Sequence, residues 1–273
     1  MSSNTNLIIE DDETSEKFTL DFIKNDPDFI CRMNIFIKLY DNRCKLGNLT
    51  NYVRYSSSEM KEFYELNREK FKSKCKNDKG ILGKIVEFEV FGNLPNSNSA
   101  PDLSYADIKV THFKKLKELG YNAKERLTLT NIGDPNNEDT IKMFTEKLTI
   151  QETKYYQKIK RGIIIVAAHD EENYDTIENC YNKKILCIVL YDLDELPDED
   201  KLILSDDYNK IRDCIINKCV SQKGQQYLHI HKHGSKNSNT RAFGFTNKFL
   251  TKLVSFYLKV PLNSTSNSSY IVI

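Results

Sequence analysis

The sequence predicts an α/β protein, a mixed central sheet flanked by helices with a helical segment in front of it. Three observations carry that expectation. Residues 16–76 space apolar side chains at three and four, as in M-K-E-F-Y-E-L-N-R-E-K-F-K, which is the period of an amphipathic helix. Two short β-branched runs, G-I-I-I-V-A-A (162–168) and K-I-L-C-I-V-L-Y (184–191), read as buried central strands. Helical and strand-like segments then mix along the whole length, which is the pattern of α/β or α+β proteins.

Taken in order, residues 1–15 are polar and acidic and read as a disordered tail. Residues 16–76 form an N-terminal helical extension, and Asn77-Asp78-Lys79-Gly80 a turn that opens the main domain, 77–260. Ile81, Leu82, Ile85 and Val86 place a helix over 81–92, with Gly92 as its stop. The run L-P-N-S-N-S-A-P (94–101) is a loop. Strands follow at about 105–113 and 127–132, and a helix at about 137–159. After the two buried strands, D-L-D-E-L-P-D-E-D (192–200) reads as a solvated acidic loop and 205–220 as a helix. Q-Y-L-H-I-H-K-H (226–233) alternates strictly, as a strand does. R-A-F-G-F-T fits a short strand, 247–258 an amphipathic helix, and 261–273 a C-terminal tail.

The 273 residues suffice for a sizeable core. No run of about 18 apolar residues is present and the N-terminus lacks a basic, then apolar, leader, so neither a membrane span nor a signal peptide is expected. Cysteines at 31, 44, 75, 180, 187, 214 and 219 are odd in number and never spaced C-x-x-C. That implies reduced thiols in a cytoplasmic or nuclear setting. Phosphate-cradling G-x-G-x-x-G and G-x-x-x-x-G-K-[ST] loops are absent, as is G-x-S-x-G. The charge is unevenly spread. Asp213 is the last acidic residue, and the 60 residues after it hold eight of the 40 Lys and Arg plus three histidines. Such segregation fits a polyanionic partner, or a solvated basic face without one.

Chemistry concentrates in D-L-S-Y-A-D-I-K-V-T, residues 102–111. On a strand, Asp107 and Lys109 share one face while Ile108 points to the core. Asp102 follows Pro101 and reaches the same place from the loop. Two carboxylates with open positions suit Mg²⁺, which takes oxygen ligands and keeps several waters. A lysine beside them can hold an attacking water, and the cation stabilises charge developing on a phosphate. The pattern P-D-x4-D-x-K is that of PD-(D/E)xK nucleases; a surface Asp–Lys pair on an edge strand would also produce it.

The surrounding segment, K-G-I-L-G-K-I-V-E-F-E-V-F-G followed by P-D-L and A-D-I-K-V-T, resembles the MutH-type endonucleases. That family includes a mismatch-repair nickase and type II restriction enzymes that cut at GATC. The resemblance implies a restriction-endonuclease-like fold in which Glu87 is the helix carboxylate, Asp102 and Asp107 are metal ligands helped by Glu87, and Lys109 is the catalytic lysine. Asp107 stands where the family often has Glu. K-I-K-R-G-I-I-I-V resembles the segment that carries a further active-site lysine, which falls on Lys158.

Residues 226–249 look like the family's DNA-reading region. There His231, Lys232, His233, Lys236, Asn237, Asn239, Arg241 and Lys248 are donors suited to phosphates and base edges, Arg pairing with guanine and Asn with adenine. The H-x-H-x-H strand could instead ligate zinc, but no Cys or carboxylate follows nearby. The expectation is therefore a Mg²⁺-dependent type II restriction endonuclease. It would cut double-stranded DNA at GATC as a monomer or homodimer and leave 5′-phosphate ends. A strand-nicking repair endonuclease and a non-catalytic DNA-binding relative are the alternatives.

Overall fold

A computed structural model describes residues 18–41, 43–75, 80–94, 100–117, 119–169, 176–218, 224–234, 238–266 and 268–273. The expected tail at 1–15, most of the turn at 77–80 and part of the 94–101 loop lie outside these residues.

The N-terminal segment is helical as its periodicity requires: α1 (Leu20–Asn25), α2 (Asp28–Leu39), α3 (Leu46–Arg54) and α4 (Ser58–Lys74). Hydroxyls set two of the starts. Thr19 Oγ1 accepts the Phe22 N–H, and Ser57 Oγ accepts the Met60 N–H, satisfying donors that a helix N-terminus otherwise leaves bare. The helix expected over 81–92 is two pieces, α5 (Ile81–Ile85) and a π-turn (Val86–Val90). Val86, Phe88, Val90 and Phe91 are all buried, a spacing that a 3.6-residue period cannot serve. The ladder widens to i→i+5, with Phe91 N–H donating to Val86 O at 3.2 Å. Gly92, at φ +60°, ends it.

The main sheet runs in the order β2 (Gly120–Ala123), β1 (Asp107–Leu116), β4 (Arg161–His169), β5 (Ile185–Asp192). Its mixed character is explicit: β1 pairs parallel with β4, and both outer pairings are antiparallel. Alternation decides the layers. Ile164, Val166 and Ala168 enter one core, and Ile163, Ile165 and Ala167 enter the other with the N-terminal helices. Opposite lies an antiparallel sheet, β3 (Leu127–Gly133), β7 (Arg241–Phe245), β6 (Leu228–Lys232), backed by α9 (Asp198–Ile216) and α10 (Asn247–Leu258).

Several expectations need correction. The run 184–191 is an edge strand by pairing, not a central one. It looks central because its outer backbone is covered. Asn34 of α2 donates to Ile188 O at 2.6 Å and accepts from Ile188 N–H at 2.9 Å. Cys44 O takes the Ile185 N–H, and Tyr257 OH brackets Asp192 N–H and O. A covered edge carries the same apolar sequence as a central strand.

The 137–159 helix is broken into α6 (Glu138–Glu146), a 3₁₀ turn (Ile150–Glu152) and α7 (Lys154–Ile159). Thr149 and Glu152 form a capping box that restarts the chain direction. The acidic stretch 192–200 is not a loop; it holds a 3₁₀ turn (Leu193–Glu195) and the first turn of α9. The C-terminal segment forms a hairpin, β8 (Asn263–Ser264) and β9 (Ser269–Tyr270), and the adjoining Ile271 is buried and bridges Tyr121 of β2.

Candidate active site

β1 begins at Asp107, which pairs with Gly162 of β4. The Asp107 side chain is almost fully buried, and its Oδ2 accepts from the Lys109 ammonium two residues along the same face. Lys158, in the last turn of α7, places Nζ 3.7 Å from Asp107 Oδ1 and 3.3 Å from Ala100 O. Asp107 Oδ1 has no hydrogen-bond partner although it is buried. Asp107 thus faces two ammonium groups, and its Oδ1 is left with an ion pair and no hydrogen bond, an arrangement that a purely structural pair does not need.

Asp102 reaches this place from the preceding turn, which closes through Leu103 N–H to Ala106 O at 3.0 Å. Its Oδ2 accepts the Ile108 N–H at 2.9 Å, and Asn93 Nδ2 holds its carbonyl at 2.9 Å. Glu87 enters from the π-turn. Burial pushes the Glu87 carboxyl up to about 7, Asp102 and Asp107 add to this, and Lys109 opposes it. Burial likewise pushes Asp107 up to about 6, against the pull of Lys109. Burial is the larger cause of both shifts, and the charge of Asp102 adds to each.

Two clefts border members of the group, though neither is lined by Asp102 or Asp107. One, of about 280 Å³, is lined by Glu87 and Lys109 with His112 and Glu125. The other, of about 440 Å³, is lined by Lys158 with Asn131 and Tyr155. The structure thus brings together Glu87, Asp102, Asp107, Lys109 and Lys158.

Of the residues expected to read DNA, His231 and Lys232 on β6 lie beside Arg241 on the paired β7, and Lys248 lies apart on α10. His231 is half-buried on β6, its Nε2 3.0 Å from Thr128 Oγ1. Lys232, His233 and Asn239 are exposed. Arg241 is buried, and its Nη1 donates to Asn239 O at 2.9 Å and Thr240 O at 3.3 Å, shaping its own hairpin. Lys248 is exposed on a separate cleft of about 530 Å³ with Lys114, Asn122 and several hydroxyls. Lys236 and Asn237 lie outside the described residues.

Sequence reasoning missed four contributors. His112 lines the cleft three residues beyond Lys109, its Nδ1 3.4 Å from Glu125. Asn93 fixes the Asp102 turn. Tyr191 covers Gly162, where a Cβ would lie 2.7 Å from the ring. Only Gly162 gave a signal, a glycine opening a β-branched run.

No protein-family model matches the chain, and no curated protein is significantly similar to it. Among the described residues no helix is long and apolar enough to cross a membrane. Among the described residues no three His, Cys, Asp or Glu side chains converge closely enough to hold a metal ion together. Mg²⁺ asks for less, one or two carboxylates and several waters. Asp102 and Asp107 at the start of β1, the latter with a buried oxygen that accepts no hydrogen bond, are the donor type this requires, and Glu87 is near enough to feel both charges.

Proposed function

We propose that the chain is a Mg²⁺-dependent endonuclease that hydrolyses double-stranded DNA, of the MutH-like type its motif resembles, with GATC as its site. One observation carries the reading: the buried Asp107 carboxylate, flanked by Lys109 and Lys158, with Asp102 and Glu87 in its field and open clefts alongside. A structural ion pair needs neither a second ammonium nor the extra carboxylates.

Asp102 and Asp107 would hold the cation and Glu87 would assist. When bound, Mg²⁺ supplies Lewis-acid stabilisation of the phosphate and eases ionisation of water. Lys109 Nζ, held in place by Asp107, orients the attacking water. Lys158 Nζ faces the phosphate from the second cleft and offsets its charge. Water oxygen bonds to phosphorus and the bond to the 3′ oxygen breaks. That oxygen takes a proton, leaving a 5′-phosphate and a 3′-hydroxyl. The acid-free chain after Asp213 supplies cations for docking the duplex, among them Lys232 and Lys248.

Digestion of a GATC-bearing plasmid, unmethylated and adenine-methylated, with and without Mg²⁺ tests this. Metal-dependent double-strand cuts are expected, and the fragments give the site. Nicks made only with an activating partner would favour the repair nickase. Tight, salt-sensitive binding that Mg²⁺ does not alter, with no cutting, would favour the binding relative.

A further inference from the structure

Glu87 must sit near two other carboxylates, so something has to hold the π-turn against their repulsion. Two residues on, Glu89 projects to nearly the opposite side of the turn. It is buried at 5% exposure among the N-terminal helices. Its Oε2 pairs with Arg54 Nη2 at the end of α3. Tyr181, which follows the short helix α8 (Ile177–Cys180), donates its hydroxyl to Oε1 at 2.6 Å. Tyr64 of α4 donates to the Glu89 carbonyl at 2.8 Å, and the Arg54 guanidinium lies 5.5 Å over its ring. Phe88, between the two glutamates, stacks on Phe71 at 4.4 Å.

The widened turn therefore has two charged sides. One faces the cleft; the other is bolted to three elements that touch neither cleft. Rotating the turn about its axis would withdraw Glu87 from Asp102 and Asp107, and would first have to break the Arg54–Glu89 pair inside the core. Lys84 adds a further tie, donating to Lys74 O at 2.6 Å.

We infer that Glu89, held by Arg54 and Tyr181, is a positioning residue that sets Glu87 for the cation, and that the N-terminal helices thereby act on the metal site. The inference rests on the proposed metal-dependent function and concerns which residues order its ligands. Acidic side chains facing opposite ways on one turn thus divide the work. Glu87 meets the cation, and Glu89 never does.

The test is Mn²⁺ binding to the full chain without DNA, followed by electron paramagnetic resonance, for wild type, Glu89→Gln and Tyr181→Phe. The magnesium dependence of cleavage is measured alongside. Glu89→Gln should weaken Mn²⁺ about tenfold, the effect of losing a group that orients a ligand, and Tyr181→Phe about threefold. Half-saturating Mg²⁺ in cleavage should rise by the same factors, with the rate at saturating Mg²⁺ within about twofold of wild type.

A lower melting temperature with unchanged Mn²⁺ affinity would make Glu89 merely structural and overturn the inference. If Glu89→Gln does not fold, Tyr181→Phe decides by the same criterion. Wild type that binds Mn²⁺ but cuts no DNA sinks the nuclease reading, while weakened binding in the variants still upholds the positioning role. Wild type that binds no Mn²⁺ overturns both.

Discussion

Two groups of carboxylates in this molecule, one wholly buried and one buried only at Asp107, are opposite in character. Around α9, Asp192 pairs with Arg161 at 2.7 Å and Asp200 with Lys252 at 2.5 Å and the Tyr227 hydroxyl at 2.7 Å. Asp207 accepts three successive backbone N–H groups, from Gln226, Tyr227 and Leu228, at 2.6–3.0 Å. Each charge there is answered in full. At the start of β1, Asp107 keeps an oxygen that no hydrogen bond reaches, and Glu87 and Asp107 are both pushed up by burial with acidic neighbours adding to it. Satisfied carboxylates hold a fold together; crowded and partly unanswered ones await a ligand.

The largest effect that should separate the groups is on stability at Asp207. Asp207→Ala strands two buried donors and a third that is partly buried, and should cost about 4 kcal/mol, read as a lower urea midpoint. A loss under about 1 kcal/mol would erase the contrast. Asp107→Asn should do the reverse. It removes a charge the fold holds uneasily, so the melting temperature at pH 7 should stay or rise, while cleavage falls by about 10³-fold. Equal losses of stability at both positions would make Asp107 another structural acid.

A third test uses acid. Burial first, then neighbouring cations, pushes His229 and His231 down to about 4. Their stabilising contribution is therefore full above about 6.5 and is lost as pH falls towards 4. For His229 this is at most about 3 kcal/mol. The urea midpoint of His229→Gln should fall less steeply than wild type between pH 6.5 and 4; parallel curves would remove the histidine from the account.

The smallest expected effect is at Gly162, beside Asp107. Gly162→Ala drives a methyl into the Tyr191 ring, and should cost about 2 kcal/mol. It should also slow cleavage more than that loss of stability explains, since Tyr191 and Asp107 flank the same residue. Full activity at low temperature would show that the ring does not help place Asp107.

Much of this was legible in the chain. The helical N-terminus, both apolar strands, the R-A-F-G-F-T strand and the 247–258 helix follow from period and composition. So does the placing of Asp107 and Lys109 on one face. The rest depends on partners distant in sequence. Nothing in K-I-L-C-I-V-L-Y says that Asn34 covers its edge. The acidic run at 192–200 looks solvated because Arg161, Tyr227 and Lys252, which answer it, lie up to 52 residues away. Nothing in V-E-F-E-V marks Glu89 as buried, because Arg54 and Tyr181, which hold it, lie 35 and 92 residues from it.

The most direct measurement is single-turnover hydrolysis of an end-labelled GATC duplex by wild type and Lys109→Ala at saturating Mg²⁺. The account predicts 5′-phosphate products from wild type, and from the variant unchanged duplex binding with cleavage reduced at least about 100-fold. Equal cleavage by both proteins, or none by a wild type that binds the duplex and the metal, would contradict it.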